Sequence, residues 1–264
     1  MKLIKKILLM IVIFIMLYPF IYITIGMTQD AGWAFRNDTE YWFGDQFKNN
    51  LFYITAHFDF LRIIMNSLIV ALSTAMISTI VVFLAAYAVN KYEFKYKRLL
   101  LMFFATSIFI PQSSILIGNL KTISYLGIYG SIVGIIIPFI INIRVYVYLY
   151  QLCFYVSNDL MEAGRIDGAT EFKIMKDISI PVIKDKIIFS FFMLFVSSWN
   201  NFLIPMIMIS KGKNYTLPVL ISSLADPLSY NTGSTFLALS ISILPLIILF
   251  VLLSKKIFEI DSKY

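Results

Sequence analysis

The sequence predicts an all-α membrane protein with six transmembrane helices, and three observations carry that prediction. Apolar residues make up 59% of the 264 residues, charged residues only 14%, and the mean hydropathy is +0.83. A soluble domain has about 25% charged residues. The apolar residues fall into stretches of about 20, the length that crosses a bilayer as a helix. Most lysines and arginines lie on one side of these stretches.

The composition also excludes several classes of protein. Too few charged residues are present for a soluble enzyme or a disordered tail. One cysteine, Cys153, and one histidine, His57, exclude a disulfide framework and a Cys/His metal cluster. The net charge of +7 would raise the question of nucleic acid in a soluble protein. In a membrane protein the positions of the charges matter more than their sum, and we expect membrane lipid, and no nucleic acid, as a partner.

Six stretches are long and apolar enough to cross a membrane. They comprise residues 7–27, 63–89, 99–118, 131–152, 187–209 and 235–254. The first has a basic start, as a signal peptide does, but its apolar run is longer than the usual ~7–15 residues and no clear cleavage site follows. The sequence therefore predicts an uncleaved first span.

The basic residues predict the orientation. Of the 22 lysines and arginines, 15 lie at the two termini and in the loops that join span two to three and span four to five. By the positive-inside rule, both termini are cytoplasmic, which agrees with an even number of spans. Arg144 lies within the fourth span. It costs about 2.5–3.5 kcal/mol at a helix centre, and we interpret it as a structural residue near the cytoplasmic end.

Chemistry-bearing motifs are absent. None of the six stretches contains Asp or Glu, which disfavours a proton- or sodium-coupled transporter. No G-x-x-x-x-G-K-[ST], H-E-x-x-H or G-x-S-x-G motif occurs. The chain is therefore predicted not to be an enzyme and to hold no cofactor of its own. Any ATP-driven step would use another chain.

The longest predicted cytoplasmic loop, residues 153–186, has the pattern of two short helices. Asp159 followed by Glu162 resembles a capping box, and a first helix can run to about Ile166. Gly168 then breaks it, because glycine takes backbone angles that other residues avoid.

The second helix of the loop is predicted to have an apolar face. Thr170 can cap this helix. Its apolar residues are Phe172, Ile174, Met175 and Ile178. An exposed apolar face on a loop marks a partner surface, and the alternative, that it folds back on the bundle, is equally supported.

This loop resembles the EAA motif of binding-protein-dependent ABC importer permeases, which reads E-A-A, three residues, G, nine residues, I-x-L-P. The positions in register are Glu162, Ala163, Gly168, Ile178 and Pro181, with Asp167 and Ala169 beside the glycine. Gly164 departs from the third-position alanine, and Ile180 departs from leucine. We expect Gly164 to loosen the first helix slightly.

The resemblance covers about 200 residues, from Asn66 to the C-terminus, and is nearest to the six-span smaller permease subunit of the maltose-importer type. Further similar segments are Asn66-Ser67-Leu68, Ala85-Ala86-Tyr87-Ala88, Ile110-Pro111, Trp199-Asn200-Asn201-Phe202 and Thr216-Leu217-Pro218. The family's Gly-rich basic tail is replaced by residues 259–264, which puts any role of that tail in doubt.

The resemblance implies a type I ABC importer permease bundle with a cytoplasmic coupling helix. It places the chain in a bacterial-type cell (inner) membrane and implies import of a sugar or oligosaccharide. The implied partners are a second permease subunit, a cytoplasmic ABC ATPase dimer that holds ATP and Mg, and an extracytoplasmic solute-binding protein. Residues 1–62 would form the first span and an outer segment, and residues 63–264 the core permease domain with its EAA loop at 157–185.

The resemblance also implies roles for residues of the loop. The ATPase-coupling residues would be Glu162, Ala163, Gly164, Asp167, Gly168, Ala169, Ile174, Met175, Ile178 and Pro181. Glu162 would face a basic group on the ATPase, and Gly168 would form the bend. Ile174 and Met175 would fill the groove of the ATPase.

Candidate substrate-path residues lie elsewhere. Asn200 and Asn201 have amides that hydrogen-bond sugar hydroxyls, or that join helices to one another. In the outer loop at 210–234, Tyr215, Asp226 and Tyr230 would reach the cleft of the binding protein, unless the loop is only structural.

Three other hypotheses remain open. The same architecture could import glycerol phosphate or a related polar solute. A stand-alone secondary transporter or channel would work without ATP and leave the EAA loop unexplained. A membrane scaffold would not transport at all.

Overall fold

A computed structural model describes residues 2–36, 41–209, 214–225 and 231–258. The described residues are helical and contain no strand. Their α-helices are α1 (Lys2–Gly26), α2 (Phe47–His57), α3 (Phe60–Lys91), α4 (Lys97–Ser107), α5 (Leu116–Tyr125), α6 (Ile132–Ile136), α7 (Ile143–Leu152), α8 (Asn158–Ile166), α9 (Glu171–Ile174), α10 (Ile180–Trp199), α11 (Leu203–Met208), α12 (Leu217–Leu224) and α13 (Thr232–Phe258). The all-α class is thus confirmed.

Among the described residues, three uninterrupted helices are long and apolar enough to cross a membrane. They span Ile4–Gly26, Phe60–Lys91 and Thr232–Lys256. A fourth candidate is a bent pair, Ile132–Phe139 and Ile143–Tyr155, with 47° between its halves. These four correspond to the first, second, sixth and fourth predicted stretches.

The third and fifth predicted stretches are interrupted helices. In the third, α4 ends at Ser107 and α5 begins at Leu116, with Pro111 in the gap. Proline cannot donate a helical hydrogen bond, which favours a break there. In the fifth, α10 ends at Trp199 and α11 begins at Leu203. The apolar composition of a stretch does not reveal where its helix is interrupted. The number of six spans therefore stays a prediction, and it is consistent with these helices.

The chain divides into two compact units, and each is described by itself. The first comprises Met1–Met65 and Lys211–Ile247, and the second Asn66–Ser210 and Ile248–Tyr264. The predicted boundary between residues 62 and 63 concerns a family domain. That boundary stays a prediction, because the compact units are defined by contacts within the structure and not by family membership. The first unit also includes residues 211–247.

In the first unit, the predicted outer segment is tied to the beginning of α13. Asn50 of α2 is buried, and its side-chain amide donates to Met27 O at 3.1 Å and Gln29 O at 2.7 Å. The hydroxyl of Ser234 donates to Asn50 O at 3.2 Å, and the backbone N of Thr232 donates to Ala31 O at 3.1 Å. The outer segment therefore has a fixed backbone path where it meets α13.

The second unit has its core between α7 and α10. Val145 and Leu149 of α7 and Ile183 and Leu194 of α10 are buried. Asn90, near the end of α3, donates through its side-chain amide to Tyr150 O at 3.0 Å. The loop that carries the EAA-like residues lies between α7 and α10 in the chain, so this core fixes both of its ends.

Candidate functional site

The predicted helix–turn–helix exists and is built on a glycine turn. Gly168 has φ +81°, the left-handed region that glycine adopts without strain. Its backbone N donates to Arg165 O at 3.0 Å, and Ala169 N donates to Gly164 O at 3.0 Å. This pair of bonds is the Schellman motif that ends α8. The prediction of a helix that ends near Ile166 and turns at Gly168 is confirmed.

The caps of the two helices were predicted with mixed success. The Thr170 hydroxyl accepts from Lys173 N at 3.4 Å and caps α9, as expected. The capping box at Asp159 and Glu162 is wrong, because the N-cap of α8 is Ser157, whose hydroxyl accepts from Asp159 N at 3.1 Å. Serine and aspartate cap about equally well, so composition alone does not choose between them.

Gly164 allows α8 to lie close to the second helix. A Cβ atom at this position would lie 3.0 Å from Ile178 Cδ1 and 3.3 Å from Ile174 Cγ1. The departure from alanine in the EAA pattern therefore has a packing consequence, since the isoleucines occupy the space that a methyl group would need. The expected loosening of α8 stays a prediction.

The apolar face of the second helix is divided between the interior and the surface. Ile174 is fully buried and Met175 half-buried, so Ile174 does not fill a partner's groove as predicted. The large apolar side chains that the turn does expose are Ile166, 82% exposed, and Phe172, 68% exposed. Sequence reasoning missed Ile166 because it lies at the end of α8, outside the periodic stretch.

A charged network crosses the turn and joins it to the residue after α3. Arg165 Nε lies 2.7 Å from Glu171 Oε1, and Arg165 Nη2 donates to Glu171 Oε2 at 3.3 Å. The Tyr92 hydroxyl donates to Glu171 Oε2 at 2.7 Å. Lys91 Nζ donates to Val156 O at 2.6 Å. These contacts hold the helix–turn–helix against the basic end of α3.

The pKa values of this network follow from its hydrogen bonds. The Arg165 guanidinium, and after it the Tyr92 hydroxyl, lower the pKa of Glu171 below its ordinary value. The hydrogen bond to Glu171 raises the pKa of Arg165. Burial, together with the bond to Glu171, raises the pKa of Tyr92 to about 12, so this hydroxyl stays a donor. The network is thus formed when Glu171 is ionised.

We expect the turn to loosen in acid. Because the pKa of Glu171 is lowered on folding, its stabilising contribution is complete above the ordinary pKa of a glutamate and is lost as the pH falls through the lowered value. Amide-exchange protection of residues 166–170 should therefore fall in that range. The Glu171→Gln protein should lack this pH dependence and be less protected at neutral pH. An identical pH profile in both proteins would contradict the prediction.

The second helix continues into the fifth predicted span without a loop. After α9, Met175–Ser179 forms a π-helical stretch that leads directly to α10. Pro181 lies in the first turn of α10, and Ile183 has non-helical angles, φ −114° and ψ 15°. A π stretch and a proline are ordinary causes of a helix kink. The turn at Gly168 is therefore connected to the span by a kinked helix.

The predicted substrate-path residues stay predictions, and the structure describes three of the five. Asn200 is exposed and its amide donates back to Val196 O at 3.0 Å. Asn201 Oδ1 is buried without a hydrogen-bond partner in the described part of the chain. Tyr215 is half-buried and belongs to the other compact unit. Asp226 and Tyr230 lie outside the described residues, as do residues 259–264.

The helices and the loop together define a class: a membrane protein with several long apolar helices and a hydrogen-bonded helix–turn–helix between two of its predicted spans. The model of the family described as "Binding-protein-dependent transport system inner membrane component" matches residues 79–258. The chain belongs to this family. It is the membrane permease component of an ABC importer and not the catalytic subunit.

Named relatives agree with this family. The lactose transport system permease protein of Rhizobium radiobacter is 24% identical over 92% of this chain and 88% of its own length. The arabinooligosaccharides transport system permease protein of Bacillus subtilis is 28% identical, over 72% and 68%. The sn-glycerol-3-phosphate transport system permease protein of Brucella abortus is 25% identical, over 74% and 70%.

A solved structure has the same fold. It is the crystal structure of a bacterial ABC transporter involved in the import of the acidic polysaccharide alginate. The TM-score is 0.81 at 20% sequence identity, and the match covers 96% of this chain and 95% of the other. At this identity the match describes the fold alone.

Proposed function

We propose that this chain is the permease subunit of an importer for a sugar, an oligosaccharide or a related polyhydroxylated solute. The solute would be delivered by an extracytoplasmic binding protein and enter through a pore formed with a second permease. A cytoplasmic ABC ATPase dimer would hold ATP and Mg. Both termini would face the cytoplasm in a bacterial-type inner membrane. The names of the three relatives support this class of solute.

The observation that carries the proposal is the exposed apolar tip of the helix–turn–helix. Ile166 and Phe172 lie on either side of Gly168 and are largely exposed, although the residues around them are polar. Exposed apolar side chains on a rigid, hydrogen-bonded turn are typical of an anchor that enters a partner's groove. We infer that these two residues, rather than Ile174, contact the ATPase.

Glu162 supplies the polar part of this contact. It is exposed on α8 and makes no ion pair within the described part of the chain. Its pairing with a basic group of the ATPase would add specificity at the rim, where charged pairs contribute little affinity. Three other EAA-type residues have internal roles: Gly164 and Ile178 pack the two helices together, and Gly168 forms the turn.

Movement of the turn would be passed to the membrane through α10. Because α9, the π-helical stretch and α10 are continuous, displacing the turn displaces the cytoplasmic part of the fifth span. The contacts of Lys91 and Tyr92 join the same turn to α3. ATP binding would then favour one of two arrangements of the spans, which is alternating access by differential binding.

The test replaces the anchors and measures assembly. Ile166→Ser and Phe172→Ser should each reduce the amount of ATPase that co-elutes with the tagged chain in mild detergent by about tenfold or more. The reason is that each substitution removes a large apolar side chain that the ATPase would bury. Solute-stimulated ATP hydrolysis should fall in parallel. The matched control is Tyr96→Ser, which removes an aromatic side chain, 62% exposed, from another loop predicted to be cytoplasmic.

Three results would contradict the proposal. The first is that Ile166→Ser and Phe172→Ser retain the wild-type amount of co-eluting ATPase. The second is that Tyr96→Ser loses as much ATPase as these two variants do. A wild-type chain that elutes without any ATPase, under conditions that keep other importers intact, would favour the stand-alone transporter.

A second solute class has a specific observation behind it. The Brucella abortus relative is a permease for sn-glycerol-3-phosphate, so an importer for a phosphorylated polyol has the same architecture. Uptake of labelled sn-glycerol-3-phosphate and of lactose by cells that produce the complete transporter distinguishes the two.

A further inference from the structure

A polar cavity lies in the second unit where three predicted spans are broken or end. It is open to the surface and has a volume of about 170 Å³, more than ten times what one water needs. Its polar lining residues are Ser107, Gln112, Asn142, Arg144 and Ser197. They come from the break between α4 and α5, from the beginning of α7 and from the end of α10.

Three counts along helical segments would place the cavity about halfway across a membrane. From the residues predicted to lie at the cytoplasmic surface, Lys97 to Ser107, Lys186 to Ser197 and Tyr155 back to Arg144 are 10 or 11 residues apart. At 1.5 Å per residue, each distance is about 15–17 Å. This is about half of a ~30 Å hydrocarbon core. Arg144 is the second residue of α7, and this count would place it deeper than the cytoplasmic end of the fourth predicted span.

The backbone around the cavity is irregular, which has a consequence in a membrane. Residues 108–115 and 140–142 are not α-helical. Non-helical backbone at membrane depth is tolerated where protein buries it or where it lines a water-filled space. In transporters, discontinuous helices of this kind surround the solute path. Two breaks that line one cavity are what a hydrated solute path would require.

Arg144 is the charged residue of the cavity. Its guanidinium has no ion pair and no hydrogen bond with any described residue, and it is exposed to the cavity. No acidic side chain is among the described residues that line the space. An arginine at this depth requires an anionic or strongly polar partner, because the charge is costly to leave alone.

We propose that this cavity binds the anionic group of the transported solute, a carboxylate or a phosphate on a hydroxylated body. The inference rests on the proposed importer function and names its solute class. Arg144 would hold the anion by two parallel hydrogen bonds, as the planar guanidinium favours. The amide of Gln112 and the hydroxyls of Ser107 and Ser197 would meet the sugar hydroxyls. A neutral solute would leave Arg144 without its partner.

The first test measures the charge of the cavity without knowing the solute. Ser107→Cys in the assembled transporter is labelled with an anionic and with a cationic methanethiosulfonate reagent. The native Cys153 is fully buried and gives the background. Adding Arg144→Gln should lower the anionic-to-cationic rate ratio by about tenfold, the effect of one unit charge at a few ångström with partial screening. The matched control, Arg98→Gln on α4, should leave the ratio unchanged.

The second test uses transport by the complete transporter. The probes are lactose, sn-glycerol-3-phosphate and an alginate oligosaccharide, which separate neutral, phosphate and carboxylate solutes. For whichever anionic probe is transported, Arg144→Gln should raise the KM by about tenfold or more. Arg144→Lys should restore part of the lost affinity. The amount of co-eluting ATPase should not change in either variant.

Several results would overturn the inference. If the cysteine at position 107 does not react, the cavity is dry. If the anionic-to-cationic rate ratio does not respond to Arg144→Gln, the arginine is neutralised by an acidic residue of the second permease. Transport of lactose alone, unaffected by Arg144→Gln, would overturn the solute class but leave the importer function standing. A chain without associated ATPase would overturn the importer function itself.

Discussion

Gly168→Pro is expected to abolish coupled transport while the protein stays in the membrane. The φ of Gly168 is +81°, whereas the ring of proline fixes φ near −65°. Proline also removes the N–H that donates to Arg165 O at 3.0 Å in the native turn. The combined cost, about 3 kcal/mol or more, would displace the native turn by over a hundredfold. Labelled-solute uptake and solute-stimulated ATP hydrolysis measure the loss.

Two milder variants isolate the backbone as the cause. A Cβ at position 168 would have no atom of the described chain within 4 Å, so alanine introduces strain without a clash. Gly168→Ala should lose part of the activity, at a cost of about 1–2 kcal/mol, and Gly168→Asn less, since asparagine tolerates the left-handed region. Disappearance of the Gly168→Pro protein from membranes would contradict the prediction, as would equal activity in all three variants.

Local chemistry predicted the turn well. A glycine followed two residues later by a threonine, between two amphipathic segments, has few alternatives to a left-handed turn and a new helix cap. Both Gly168 and Thr170 have the roles that the sequence indicated. Each role depends on residues within five positions in the chain, which is why sequence reasoning could reach it.

Features that depend on distant residues were missed. A helical period shows that Ile174 lies on an apolar face, but burial of Ile174 depends on the missing Cβ of Gly164. The ion pair of Arg165 and Glu171 spans six residues and forms only once the chain has turned. Tyr92 approaches Glu171 from another helix end. None of these contacts has a local signature.

The polar cavity shows the same limit in the membrane. Hydropathy windows identified the apolar stretches, but they average over the breaks at 108–115 and 140–142. Pro111 was a signal for the first break. Arg144 was singled out by its charge, and its depth was judged from the predicted span, whereas the structure shows that α7 begins only at Ile143.

The largest effect on folding is expected at Gly233, in the first turn of α13. A Cβ there would collide with the backbone oxygen of Gln29 and would lie 2.5 Å from Asn50 Nδ2 and 2.7 Å from Asn50 Oδ1. Asn50 cannot move aside cheaply, because its amide donates to Met27 O and Gln29 O in a buried site. Gly233→Val therefore combines overpacking with the loss of buried hydrogen bonds, about 3–5 kcal/mol together.

Thermal unfolding of the detergent-solubilised protein measures this prediction. Gly233→Val should lower the midpoint by several degrees or prevent accumulation in the membrane, and Gly233→Ala should do so to a lesser extent. Gly32→Ala is the matched control in the same compact unit, because its Cβ would meet Asp30 Oδ1 at 3.7 Å, an ordinary contact, and its φ is −105°. If Gly233→Val unfolds at the same temperature as Gly32→Ala, then the outer segment does not pack on the beginning of α13. The hydrogen bonds of Asn50 and Ser234 would then contribute little to the stability of the first unit.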